Sequence, residues 1–159
     1  MSFKKAKQHL AEHGFEDRIK EFPVSSATVE LAAKAAEVIP ARICKTLAFY
    51  SEDGAILICA AGDARIDNRS FKDVFGTKPK MLSPDDVLEF TNHEIGGVCP
   101  FGITHSRTKI YCDNSLNRFD TVFPACGSDN SAVELTPEEL FDCADAQVWL
   151  DVCKNWQGQ

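Results

Sequence analysis

A lysine inside an apolar, strand-like run is the first feature with chemical potential. Lys45 stands within Ile43-Cys44-Lys45-Thr46-Leu47-Ala48-Phe49. Burying an unpaired ammonium is costly, so this side chain must either reach the solvated face of a sheet or occupy a cleft. The first alternative is an ordinary edge-strand lysine; the second places a cation where it serves binding or catalysis. A second feature is Gly96-Gly97-Val98-Cys99-Pro100-Phe101-Gly102. Three glycines and a proline in seven residues specify a tight loop whose backbone can approach a ligand and whose N–H groups can face an anion or a developing oxyanion, although a plain turn has the same composition. The spacing is neither a Walker loop nor a dinucleotide fingerprint. Third, Ala125-Cys126-Gly127-Ser128-Asp129-Asn130-Ser131-Ala132-Val133-Glu134-Leu135, a small-residue turn between two strands, forms either a simple loop or the opposite wall of a pocket. Cys99 with His93 or His105 offers a thiol and a base, or metal ligands, but no recognised ligand spacing supports the metal.

Local signals define the elements that would hold these residues. Phe3, Ala6 and Leu10 recur at helical spacing behind Ser2, with Gly14 as a stop, which predicts an opening amphipathic helix. Thr28 is a suitable N-cap for a second helix, with Leu31, Ala32, Ala35 and Val38 along one side until Pro40. The β-rich runs Ile43 to Tyr50 and Ala55 to Ala61, joined through Asp53-Gly54, read as a hairpin. Asp67 to Phe75 reads as a helix closed by Gly76, and Ser83-Pro84-Asp85-Asp86 as a helix start. After the glycine loop, Thr108 to Cys112, Thr121 to Cys126 and Ala132 to Leu135 read as strands. Thr136 and Glu139 form a capping box, and a last strand at Gln147 to Leu150 precedes a frayed tail. The expected architecture is one α/β domain over residues 1–159, with its core at about 20–150 and a mostly antiparallel or mixed sheet.

Composition narrows the functional classes. No apolar stretch approaches the roughly 18 to 20 residues needed to cross a bilayer, and the N-terminus lacks an apolar signal core, so a cytoplasmic protein without a membrane partner is expected. The seven cysteines contain no CxxC pair, which argues against a zinc ribbon, a redox motif or a secreted disulfide framework and for reduced, buried side chains. The net charge is −7, yet residues 1–80 carry 13 Lys+Arg against 11 Asp+Glu, whereas residues 81–159 carry 4 against 13. Any polyanion must therefore be held by a local basic face, weakly and with strong salt dependence.

Taken in order, Thr28-Val29-Glu30-Leu31-Ala32-Ala33, Ile43-Cys44-Lys45-Thr46-Leu47, Ala61-Gly62-Asp63, the Gly96 to Gly102 loop, and Gly127-Ser128 with Val133-Glu134-Leu135-Thr136-Pro137-Glu138-Glu139-Leu140 resemble the YbaK/ProX-like, prolyl-tRNA-synthetase-associated editing family. The resemblance runs from about residue 20 to 150. It implies a twisted, barrel-like mixed sheet with flanking helices, and a hydrolase that deacylates mischarged tRNA, typically tRNA(Pro) carrying Cys or Ala, without a metal or other cofactor. The implied partners are the aminoacylated 3′ end of tRNA and prolyl-tRNA synthetase or another synthetase, and not DNA. On the same basis Lys45 matches the family's essential lysine, with Gly96 and Gly97 beside the scissile ester. Thr46, Val98, Cys99, Pro100, Phe101 and Gly102 are the substrate-contacting candidates, and Gly127 and Ser128 lie on the opposite wall. Two features depart from the family pattern: Cys99 replaces a small or hydroxyl residue, and the turn Gly127-Ser128-Asp129-Asn130 is more acidic than in some members. The alternative reading is a non-catalytic module of the same fold that binds aminoacyl-tRNA or a synthetase.

Overall fold

A run of seven apolar residues, Ala55 to Ala61, is the natural centre of a sheet buried on both faces. In the computed structural model, which describes residues 2–156, all seven are buried. The chain order is α1 (Ser2–Glu12), β1 (Ile19–Glu21), α2 (Val29–Ala36), β2 (Ile43–Tyr50), β3 (Ala55–Ala61), β4 (Arg65–Ile66), α3 (Asn68–Phe75), α4 (Pro84–Thr91), β5 (Thr108–Asp113), β6 (Phe123–Pro124), β7 (Ser131–Val133), α5 (Pro137–Cys143), β8 (Trp149–Leu150) and β9 (Cys153–Lys154). The main sheet has the order β6-β2-β3-β5-β8, and two ribbons, β1-β7 and β4-β9, flank it. Only β2 and β3 are antiparallel within the main sheet; the other three pairings are parallel. The sheet is thus mixed, with helices around it, as expected. No helix among the described residues is long and apolar enough to cross a membrane.

The helix starts follow their caps. Thr28, Asp67, Ser83 and Thr136 each accept a backbone N–H of the first turn, and Thr136 with Glu139 completes the capping box. An isolated helix of eight residues is marginal in water, so α3 depends on docking. Phe71 is fully buried and lies 5.0 Å from Phe49 and 4.7 Å from Phe75 between ring centroids. Such burial contributes about 1.5 to 3 kcal/mol. Helix α2 stops at Glu37, in the left-handed region with φ 60°, before Pro40. Pro40 instead requires an extended residue before it, Ile39, and opens a separate 3₁₀ turn. Leu31, expected on the inner side, is exposed, and Ala32 and Ala33 carry the contact. The β2-β3 hairpin closes as expected, but Gly54 is required by a neighbour: a Cβ there would stand 2.1 Å from the Arg107 carbonyl oxygen.

Two expectations are corrected. The strand over Thr121 to Cys126 reduces to Phe123–Pro124, because Pro124 has no N–H to continue the parallel ladder; Val122 and Ala125 bridge instead to Leu135 and Ala132. The tail after Leu150 is not frayed through residue 156. Val152 is fully buried and β9 pairs with β4. The fixing group is buried Asp113, whose Oδ1 accepts from Val152 N at 2.9 Å and whose Oδ2 accepts from Ser115 N at 2.9 Å. Asp113→Ala would strand both donors, at a cost of about 2 to 4 kcal/mol. Thermal unfolding should show a Tm lower by roughly 5 to 15 °C; an unchanged Tm would show that the tail is held by its apolar contacts alone.

Candidate functional site

The lysine strand, the start of α2, the glycine loop and the β6-β7 turn meet around a cavity of about 250 Å3. Its wall is mainly aliphatic, with Val29, Ala32, Ile43, Ala48, Leu82, Val87 and Ala132 contributing. This volume lies below the roughly 300 to 1,000 Å3 of sites that enclose drug-sized ligands, so the interior suits a small group rather than a whole nucleotide.

Of the residues singled out from the sequence, Lys45, Thr46, Gly96 and Val98 line the cavity. Lys45 is half-buried. Its Nζ donates to the carbonyl of Ala64 and, at 3.4 Å, to that of Gly62. An ammonium has three donors, so one remains for a ligand. Burial lowers the Lys45 pKa from its ordinary value, only partly opposed by Cys153 and Asp63. The turn that receives Lys45 is itself fixed: Arg118 grips Asp63 through two bonds of 2.6 and 3.0 Å, and its guanidinium lies 5.1 Å from the Trp156 ring. Gly62 is tightly enclosed, since a Cβ there would fall 2.1 Å from the Pro40 carbonyl oxygen.

The remaining candidates build the wall from behind. Gly97 donates its N–H to the Glu94 carbonyl at 3.1 Å, and its Cα is pressed against the Gly127-Ser128 backbone. Gly102, with φ 74°, lies against Lys5 of α1 and donates its N–H to His9 Nδ1 at 2.9 Å. Gly127, with φ 85°, faces Ser2, whose hydroxyl donates to the Gly127 carbonyl. Helix α1 therefore braces both loops. The Ser128 hydroxyl is engaged with Asn130 and Ser131 inside the turn. Cys99 and Phe101 are fully buried, and Pro100 is buried beside them. None of Gly97, Cys99, Pro100, Phe101, Gly102, Gly127 and Ser128 belongs to the cavity lining.

Cys99 does meet His93, with Sγ and Nε2 3.4 Å apart. Nε2 also lies 2.6 Å from the Phe101 carbonyl oxygen, which can only accept, so Nε2 carries the hydrogen and is no base for the thiol. Burial raises the Cys99 pKa far above the ordinary range and lowers that of His93. The pair closes the glycine loop and is not an accessible nucleophile. All seven cysteines are buried. Among the described residues, His9, His13 and Cys143 bring ligand-type atoms within 4.8 Å of one another. Both His9 ring nitrogens are already taken, by Gly102 N–H and by the Cys143 carbonyl at 2.6 Å, leaving no lone pair for a metal.

Sequence reasoning did not assign Ser26, Ala27, Met81, Ile95 or Phe123 to the site, although all line the cavity; Ala125 and Ser131, read as part of a loop or pocket wall, line it as well. Thr28 and Val29 stood in the motif succession, yet only the helix-start role of Thr28 was read there. The lining role of these residues depends on which elements converge, which no local pattern reports.

A lysine strand and a glycine loop around a small apolar cavity define a recognised class. The model of the aminoacyl-tRNA editing domain matches residues 24–143, and the chain belongs to that family. Among its relatives, the uncharacterized protein YwhH of Bacillus subtilis (strain 168) is 54% identical over 158 residues, covering 99% of this chain and 100% of that one. A proline--tRNA ligase of Geobacillus sp. (strain WCH70) is 25% identical over 122 residues, covering 74% of this chain and 21% of the ligase. A crystal structure of a protein proposed as a trans-editing enzyme for prolyl tRNA synthetase superposes with a TM-score of 0.86 at 30% identity, over 96% of this chain and 97% of that one. The region matched by the family model excludes α1, the helix that braces both site loops.

Proposed function

We propose that this protein is a free-standing aminoacyl-tRNA deacylase of the cytoplasm that hydrolyses mischarged tRNA, with Cys- or Ala-tRNA(Pro) as its leading substrates, beside prolyl-tRNA synthetase or another synthetase. The observation that carries this reading is a half-buried lysine with one free donor, placed with a glycine loop around a cavity of about 250 Å3. An aminoacyl ester is already activated. The protein needs only to hold it, exclude competing groups and stabilise the oxyanion that forms. Gly96 and Val98 line the cavity with no protein partner for their N–H groups among the described residues, and these donors are assigned to the oxyanion. Gly97 serves by close packing, its own N–H being committed to Glu94. Lys45 holds the terminal adenosine or the ester by a charge-assisted hydrogen bond. The attacking group comes from outside the protein, as a positioned water assisted by the ribose hydroxyl or, for a cysteinyl substrate, its own thiol.

The amino acid is selected by a cavity wall, where one methylene is worth about 1 to 3 kcal/mol. The test is release of radiolabelled amino acid from Cys-, Ala- and Ser-charged tRNA(Pro) at low salt, because an acidic protein holds tRNA weakly. Rapid release from one of them is expected. Binding without release from any would replace the deacylase with a binding module.

A further inference from the structure

The outer edge of β2 is covered at both ends and bare for one residue between them. Ala48 O accepts from Leu82 N and Tyr50 N donates to Lys80 O, so the even-numbered residues of β2 turn their peptide groups away from β3. Cys44 is covered by the parallel pairing with β6, and Phe49 is opposite Met81. Thr46 lies between. Among the described residues neither its N–H nor its C=O meets a protein partner, and Thr46 lines the cavity. Another polar group in the same wall is also unmatched: Ser26 Oγ, on a residue only 7% exposed, has no hydrogen-bond partner among the described residues. A buried hydroxyl without a partner is costly, and the buried Ser26 hydroxyl together with the unmatched N–H and C=O of half-buried Thr46 around one apolar cavity point to a small polar ligand.

The spacing indicates its chemistry. In an antiparallel hydrogen-bonded pair, one residue's N–H and C=O exchange bonds with the C=O and N–H of a single residue opposite. An α-aminoacyl ester carries the same N–Cα–C=O unit. We propose that the aminoacyl group docks as a one-residue strand on this edge: its α-ammonium donates to Thr46 C=O and to Ser26 Oγ, and its carbonyl oxygen accepts from Thr46 N–H before attack. This rests on the deacylase reading and deepens it, since the site then demands an α-amino acyl group and leaves the side chain to the apolar wall. An α-hydroxyacyl ester of the same side chain satisfies fewer of these contacts.

Thr46→Val removes the hydroxyl and keeps the peptide group, whereas Thr46→Pro also removes the N–H. Proline is tolerated at an edge position whose N–H lies outside the ladder. With Cys- or Ala-tRNA(Pro), Thr46→Pro should have a kcat/KM about tenfold to a hundredfold below that of Thr46→Val, and Ser26→Ala one about tenfold to a hundredfold below wild type, the range of one hydrogen bond to a charged or reacting group. Equal activity of Thr46→Pro and Thr46→Val overturns the edge-docking proposal while leaving deacylation intact. Because Thr46→Pro risks misfolding, the wild type supplies a second measurement: titration with the hydrolysis-resistant 3′-deoxy-3′-(alanylamino)adenosine, followed by the amide resonances. A downfield shift of the Thr46 amide is expected. Absence of that shift up to millimolar ligand overturns the proposal, and the shift in a protein that releases no amino acid keeps the docking edge while removing the catalytic reading.

Discussion

Lys45→Ala should lower kcat/KM for the charged tRNA by about a hundredfold to a thousandfold, the usual effect of deleting one group that stabilises a transition state, while the protein remains folded. The fold survives because the odd-numbered residues of β2 bond to β3 through their backbones, independently of side chain. What is lost is the ammonium between the Gly62 and Ala64 carbonyls and the ligand. The pH profile supplies an independent check. The active form carries the proton, and burial lowers the pKa below that of an ordinary lysine. Activity should therefore be full at neutral pH and fall on the alkaline side, at a lower pH than a solvated lysine would give, once spontaneous ester hydrolysis is subtracted. A guanidinium does not deprotonate in this range, so the residual activity of Lys45→Arg should lack that limb. Wild-type turnover by Lys45→Ala would remove the lysine from the mechanism.

The parts legible in the sequence were those whose chemistry is local. Thr28, Asp67, Ser83 and Thr136 announce their helices because a cap bonds within its own first turn, and β3 announces itself because a strand buried on both faces has no polar alternation to conceal it. The two site loops were legible as glycine-rich stretches, but the direction of each side chain was not. Left-handed backbone at Gly96 and Gly102 re-aims the chain between them, so that Gly96 and Val98 face the cavity while Cys99 and Phe101 enter the core. Short pairings such as β4 with β9 are too brief to show a period of two. The support from α1 was invisible for another reason: its periodicity reports an apolar face but not that Gly102 and Gly127 are what lie against it.

Gly97→Ala tests whether the two loops must touch for the site to work, and it should damage both stability and turnover. A Cβ on Gly97 would stand 2.8 Å from the Gly127 carbonyl carbon and the Ser128 nitrogen, and 3.0 Å from the Ser128 Cα. All three are backbone atoms, so no rotamer change relieves the overlap and the loops must separate. Gly127 has little room to retreat, because Ser2 lies directly behind it. Overpacking of this kind costs about 1 to 3 kcal/mol, and a displacement of about 1 Å near reacting groups costs about a hundredfold in rate. Both Tm and kcat/KM should therefore fall, in contrast to Lys45→Ala, where Tm holds. Gly96→Ala separates the causes. Its Cβ finds ordinary contacts, 3.6 Å from Ala27 and 3.8 Å from Asp129, but φ is 99°, so its penalty is backbone strain without a collision between loops. Wild-type activity and Tm in Gly97→Ala would show that the loops part freely, and the oxyanion donors would then have to be sought away from Gly96 and Val98.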